Sequence, residues 1–216
     1  MVFKAFAIIA GVLLCAHAAL FAIPARAADR DAIERQTGLV KVEHERFILD
    51  LKYDSRDNFL NKNVYADFDL HSCYVRSEVH DRLMAVVPPL KRAGYRLVLF
   101  DCFRPLAVQE AMWKIVPDSR YVANPKTGSL HNRGTAIDVG LATKEGVYLD
   151  FPTGFDSFEP KAAQGYVCAK TEQHLCANRA RLRHVMEAAG FVPSNSEWWH
   201  FHLVGARRYP LINLKD

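Results

Sequence analysis

Hydrophobic positions along the chain change period several times, and each change predicts an element. Arg46–Tyr53 alternates Phe47, Leu49, Leu51 and Tyr53 with polar residues, which predicts a half-buried strand. Val75, Val79, Leu83 and Val87 recur at helical spacing. Ser72 is placed to cap that helix, and Pro88-Pro89 to end or kink it. Gly94 marks a stop, and Tyr95–Phe100 is a β-rich run. Pro105 suits the first turn of a helix reaching Ile115. After a loop-like stretch from Tyr121 to Leu130, Thr135–Leu141 reads as a strand. The segment from Lys144 to Gly165 is irregular and rich in Gly, Pro and Asp. Asn178 can cap a helix with Leu182, Val185, Met186 and Ala189 on one face, closed by Gly190. Glu197–Leu203 is aromatic and strand-like. Strands and helices mix without a regular βαβ rhythm. The expected fold is therefore α+β, a single domain with a central antiparallel sheet flanked by helices.

The start of the chain stands outside this pattern. Lys4 precedes an almost wholly apolar run from Ala5 to Ile23, and Ala25-Arg26-Ala27 supplies the small residues of a cleavage site. Residues 1–27 are expected to be a signal peptide and 28–216 the working domain, exported to the periplasm with no stable membrane insertion after cleavage. A retained anchor is the other reading of an apolar run this long. The chain has 28 basic and 24 acidic residues. Removing Lys4 and Arg26 leaves 26 against 24, a net charge of +2. That is too small to point to nucleic acid or anionic lipid as a partner. Cys15 leaves with the signal, and Cys73, Cys102, Cys168 and Cys176 remain. An even number in an exported chain predicts disulfides, with three connectivities open. Joining the nearest pair, Cys168 and Cys176, would leave Cys73 with Cys102. A cysteine metal site is disfavoured, since no C-x-x-C pair occurs.

Two segments carry chemistry: Ser129-Leu-His131-Asn-Arg-Gly134-Thr-Ala136-Ile-Asp138, and Glu197-Trp-Trp-His200. A catalytic zinc needs about three nitrogen or oxygen ligands and an open position for water. His131, Asp138 and His200 supply such a set. Gly134 permits the tight turn that would bring His131 and Asp138 to one ion. Residues three apart on a regular strand face opposite ways, so Glu197 is expected in a bend before the strand of His200. His200 and His202 share a face, and spacing alone does not say which of them is the ligand.

These segments, SLHNRGTAID and EWWHF, resemble the D-alanyl-D-alanine dipeptidases of the vancomycin-resistance type, a family of zinc D,D-peptidases. The likeness extends over most of the mature chain, through DNF at 57–59, CYVR at 73–76, GYRLVLFDCFRP at 94–105 and GFD at 154–156. Family members usually read DGYRP where this chain has Asp101-Cys102-Phe103-Arg104-Pro105, and Cys102 fits an extra disulfide in an exported member. The resemblance implies that His131, Asp138 and His200 ligate one zinc ion. It implies that Glu197 is the general base acting on a zinc-bound water and that Arg104 stabilises the oxyanion. Ser129 and Asp156 would hold the substrate, with Asp156 suited to the free ammonium of a dipeptide. The activity so implied is hydrolysis of the D-Ala-D-Ala dipeptide to two D-alanines. Two other functions use the same residues: a cell-wall D,D-carboxypeptidase acting on longer peptides, and a non-catalytic zinc module. The presence of both Glu197 and Arg104 disfavours the module.

Overall fold

The computed structural model describes residues 31–214, and the expected signal peptide at 1–27 lies outside them. In chain order the elements are α1 (Ala32–Thr37), β1 (Val40–Lys41), β2 (Phe47–Leu49), β3 (Tyr74–Val75), α2 (Ser77–Ala93), β4 (Tyr95–Asp101) and α3 (Leu106–Ile115). They are followed by β5 (Ala136–Thr143), α4 (Gln173–Ala188), β6 (Val192–Pro193) and β7 (His200–His202). The principal sheet runs β2-β4-β5-β7-β6, and β1 pairs with β3 in a separate ribbon. The architecture is mixed α and β, with a sheet flanked by helices. One expectation needs correcting: β2 pairs parallel to β4, so the sheet is mixed, while its other ladders are antiparallel.

β4 and β5 form the centre. Leu97 to Asp101 are all buried, as are Ala136 to Ala142, so both faces of these strands are covered. One hydrophobic cluster joins α2 and α4 to the sheet through Val79, Leu83, Val86, Leu97, Leu182 and Met186. A second gathers Tyr53, Tyr65, Phe103, Val108 and Met112 around α3. Cys73 bonds to Cys102 and Cys168 to Cys176.

Several predicted boundaries move, each for a tertiary reason. The strand expected over Arg46–Tyr53 is only Phe47–Leu49, and Lys52–Asp54 turns into a short 3-10 helix. Ser72 caps nothing, because Tyr74 and Val75 pair with Lys41 and Val40 and delay the helix to Ser77. Pro88 and Pro89 lie inside α2 and do not end it. Pro88 and Ala85 are exposed, so water can take up a carbonyl that loses its partner, while buried Val86 and Leu90 hold the last turns to the core. The helix stops at Gly94, which adopts the left-handed conformation. Asn178 is in the middle of α4, which starts at Gln173. Its side-chain amide donates to the Asp150 carbonyl at 2.9 Å.

Candidate metal centre and active site

The site is built at one rung of the sheet. β4 and β5 pair Leu99 with Val139, then Asp101 with Asp138, so Phe100 is an extra residue forming a bulge. Asp138 is also paired across β5 and β7 with His200. Asp101, Asp138 and His200 thus stand side by side on three strands. His131 arrives from the loop before β5. Residues His131–Arg133 make a short 3-10 turn ended by Gly134 at φ 65°. A side chain at 134 would be strained there, and its Cβ would meet Leu39 at 2.6 Å.

His131, Asp138 and His200 converge. His200 Nδ1 is 3.0 Å from Asp138 Oδ1 and 3.1 Å from His131 Nε2, and His131 Nε2 is 3.3 Å from the same Asp138 oxygen. Zinc bonds of about 2.0–2.1 Å in a tetrahedron place ligand atoms about 3.3–3.4 Å apart, so this triangle fits a small dication. The charge balance fits as well. Burial works against charge on both groups. Even so, His131 and His200 hold the Asp138 carboxyl well below its usual range, and Asp138 and Asp101 hold His131 above its own. Both shifts express one demand, for positive charge at the centre of the triad. His131 Nδ1 donates to the Cys102 carbonyl at 2.8 Å, which turns Nε2 inward. Among the described residues, this triad is the one group of His, Cys, Asp and Glu with ligand atoms close enough to share an ion. His202 is not in it. Its Nδ1 is buried without a partner among the described residues. Burial, then the charges of His200, His131 and Arg207, lower its pKa to about 4.

The remaining predicted residues line the same cavity, of about 280 Å³. Glu197 is in the turn just before β7, half-buried in the cavity wall. Burial, followed by Asp138 and Asp156, pushes its carboxyl up to about 7 against the opposing pull of His200 and Arg104. Asp156 has a left-handed backbone, φ 59°, and accepts a hydrogen bond from the Tyr53 hydroxyl at 2.8 Å. Burial raises it too to about 7, chiefly against that hydrogen bond. Ser129 borders the cavity, and its Oγ accepts from the His131 amide at 3.2 Å.

Arg104 is buried, stacked 5.0 Å from the centre of the Tyr53 ring. Its Nε and Nη2 donate to Asp101 Oδ2 at 3.0 and 2.6 Å, and Nη1 donates to Gln109 at 2.9 Å. An ion pair and a cavity wall are therefore one arrangement. Three of the five guanidinium hydrogens are engaged by Asp101 and Gln109.

Three residues that sequence reasoning passed over hold this set in place. Asp101 is fully buried and also accepts from the Tyr65 hydroxyl and, at 2.9 Å, from the Cys102 amide. Asn132 accepts from the Ser129 amide at 2.6 Å and donates to the Arg104 carbonyl at 2.7 Å. Gln109 passes from Arg104 to the Ala123 carbonyl at 2.8 Å. Each lies in or next to a recognised segment. Only the contacts distinguish them from surface polar residues.

Comparison with known proteins points to one family. Residues 36–213 match the family described as D-ala-D-ala dipeptidase. The D-alanyl-D-alanine dipeptidase of Escherichia coli is 34% identical over 164 residues, 76% of this chain and 82% of that protein. Its namesake from Enterococcus faecium is 28% identical, covering 71% and 84%. The solved structure of an LD-carboxypeptidase aligns with 62% of this chain and 63% of its own at 18% identity and a TM-score of 0.36, too low a likeness to bear on function. With the family matched over most of its length and a relative this similar, the chain belongs to the D-Ala-D-Ala dipeptidase family of metallopeptidases.

Proposed function

We propose that this enzyme hydrolyses the dipeptide D-Ala-D-Ala to two D-alanines, with one zinc ion held by His131, Asp138 and His200. The observation that carries the reading is the triad of ligand atoms 3.0–3.3 Å apart, in a cavity that also contains Glu197, Arg104 and Asp156. When bound, zinc polarises the scissile carbonyl and makes a water nucleophilic near neutral pH.

The chain's own residues do the rest. Glu197 takes a proton from the attacking water as its oxygen bonds to the carbonyl carbon. It passes that proton to the leaving amine when the C–N bond breaks. A carboxyl raised toward neutrality suits both transfers. Arg104, preorganised by Asp101 and Gln109, brings its positive charge to the developing oxyanion. Asp156, fixed by the Tyr53 hydroxyl, receives the substrate's ammonium, and Ser129 supports the opposite end.

An exported location is part of the proposal. Two disulfides support it, and no helix among the described residues is long and apolar enough to cross a membrane. The test is to assay the purified enzyme on D-Ala-D-Ala beside a wall pentapeptide ending in the same two residues. Turnover of the dipeptide with little of the pentapeptide is expected. The reverse preference would make it a carboxypeptidase.

A further inference from the structure

The segment from Cys102 to Pro105 links the end of β4 to the start of α3 and has no regular structure of its own, yet two parts of the site depend on it. The amide of Cys102 donates to Asp101, which grips Arg104 through two N–H groups. The carbonyl of Cys102 accepts from His131 Nδ1 at 2.8 Å and so sets which ring nitrogen faces the triad. One peptide unit on each side of a single residue thus orients both a metal-ligand ring and the guanidinium.

That residue is tethered. Cys102 is bonded to Cys73, and both are fully buried. Cys73 is itself held, since its carbonyl accepts from the Val42 amide at 2.8 Å beside the β1–β3 ribbon. The neighbouring Phe103 amide donates to the Tyr74 carbonyl at 2.9 Å. We propose that the Cys73–Cys102 disulfide is a positioning element of the active site, anchoring the Cys102 peptide groups that hold His131 and, through Asp101, Arg104. It rests on the reading of those two residues given above. The second bridge, Cys168–Cys176, ties the start of α4 to the loop before it and includes no residue of the cavity wall, so it is the internal control.

The experiment compares Cys73→Ala/Cys102→Ala with Cys168→Ala/Cys176→Ala, each purified. Zinc affinity is measured by competition with a chromophoric chelator, and kcat and KM on D-Ala-D-Ala. Opening the site bridge should cost roughly 10–100-fold in zinc affinity and in kcat, with KM moving less, while the control stays within about twofold of the parent. A folded Cys73→Ala/Cys102→Ala enzyme unchanged in both would overturn the proposal, as would equal losses in the two variants. If that variant does not fold, the native enzyme is reduced with a phosphine and its thiols are trapped and mapped. Zinc release that follows opening of Cys73–Cys102 supports the role, and opening without release overturns it. A parent enzyme inert on D-Ala-D-Ala that still binds zinc more tightly than the variant would sink the assigned reaction and leave the positioning role standing.

Discussion

On one side of the Phe100 bulge, β4 and β5 pair Leu97 with Leu141 and Leu99 with Val139. On the other side the same strands pair Asp101 with Asp138. Leu97 and Asp101 are each 0% exposed. They are held by different physics. The apolar end is stable because of what it excludes, and every lost methyl group leaves a void. The charged end is stable only while each group keeps its partner, because an unpaired buried charge is strongly destabilising. One extra residue in one strand separates the two regimes. The apolar ladder supplies the rigidity, and the polar rung uses it.

The largest effect should come from taking away the cation that the charged rung is proposed to hold. Chelation should abolish hydrolysis and added zinc should restore it. Full activity in metal-free protein would remove the reason for the charged end altogether. Next is Glu197→Ala, which should keep stoichiometric zinc and its melting temperature yet lose about 10²–10⁴-fold in kcat. A variant short of zinc would reassign Glu197 as a ligand. The pH dependence has a definite sign. Glu197 accepts a proton only when ionised, so rate is lost as pH falls through its pKa. Burial lifts that pKa to about 7, and a dication beside it draws it back down. The acid limb of kcat/KM should therefore lie at or below about 7 and disappear from the residual activity of Glu197→Ala.

The two ends of the ladder can then be compared directly. Asp101→Ala strands Arg104 and should cost about 3–5 kcal/mol in unfolding free energy, together with a clear loss of kcat. Leu97→Ala should cost about 2–5 kcal/mol and leave kcat of the folded enzyme unchanged. Denaturant titration and turnover on the same preparations check both. If the two substitutions affect rate alike, the bulge divides nothing. The smallest effect belongs to His202→Ala, which should keep its zinc and most of its turnover, whereas His200→Ala should lose metal. Equal metal loss from both would show that the triad is wrongly drawn.

The apolar half of this comparison was the easier to read in sequence. Tyr95–Phe100 and Thr135–Leu141 announce strands through mainly apolar runs, Leu97 to Phe100 in the first and Ile137, Val139 and Leu141 in the second, and they lie within a residue or two of β4 and β5. His131, Gly134 and Asp138 were legible because ligand type and a turn glycine fall within eight residues. What sequence did not reveal depends on partners far along the chain. The start of α2 was hidden because Tyr74 and Val75 are claimed by β1. Asn178 looked like a cap because its real partner, the Asp150 carbonyl, is 28 positions away. Asp101 carried no mark of its own, since its importance lies in four donors from three other residues: Tyr65, Cys102 and Arg104.

Glu197 is in the short connection between β6 and β7, with Asn195 and Ser196 exposed beside it, while Asp138 and His200 belong to the strands themselves. The proposed base and two of the three proposed ligands are thus carried by parts of the chain that can change separately. A hairpin loop tolerates replacement far better than a central strand rung does. Exchanging residues 194–197 for another turn of equal length would leave a chain that folds and captures metal but no longer turns over. The same connection is where a protein engineer would insert a different acid or base to give this scaffold a new reaction.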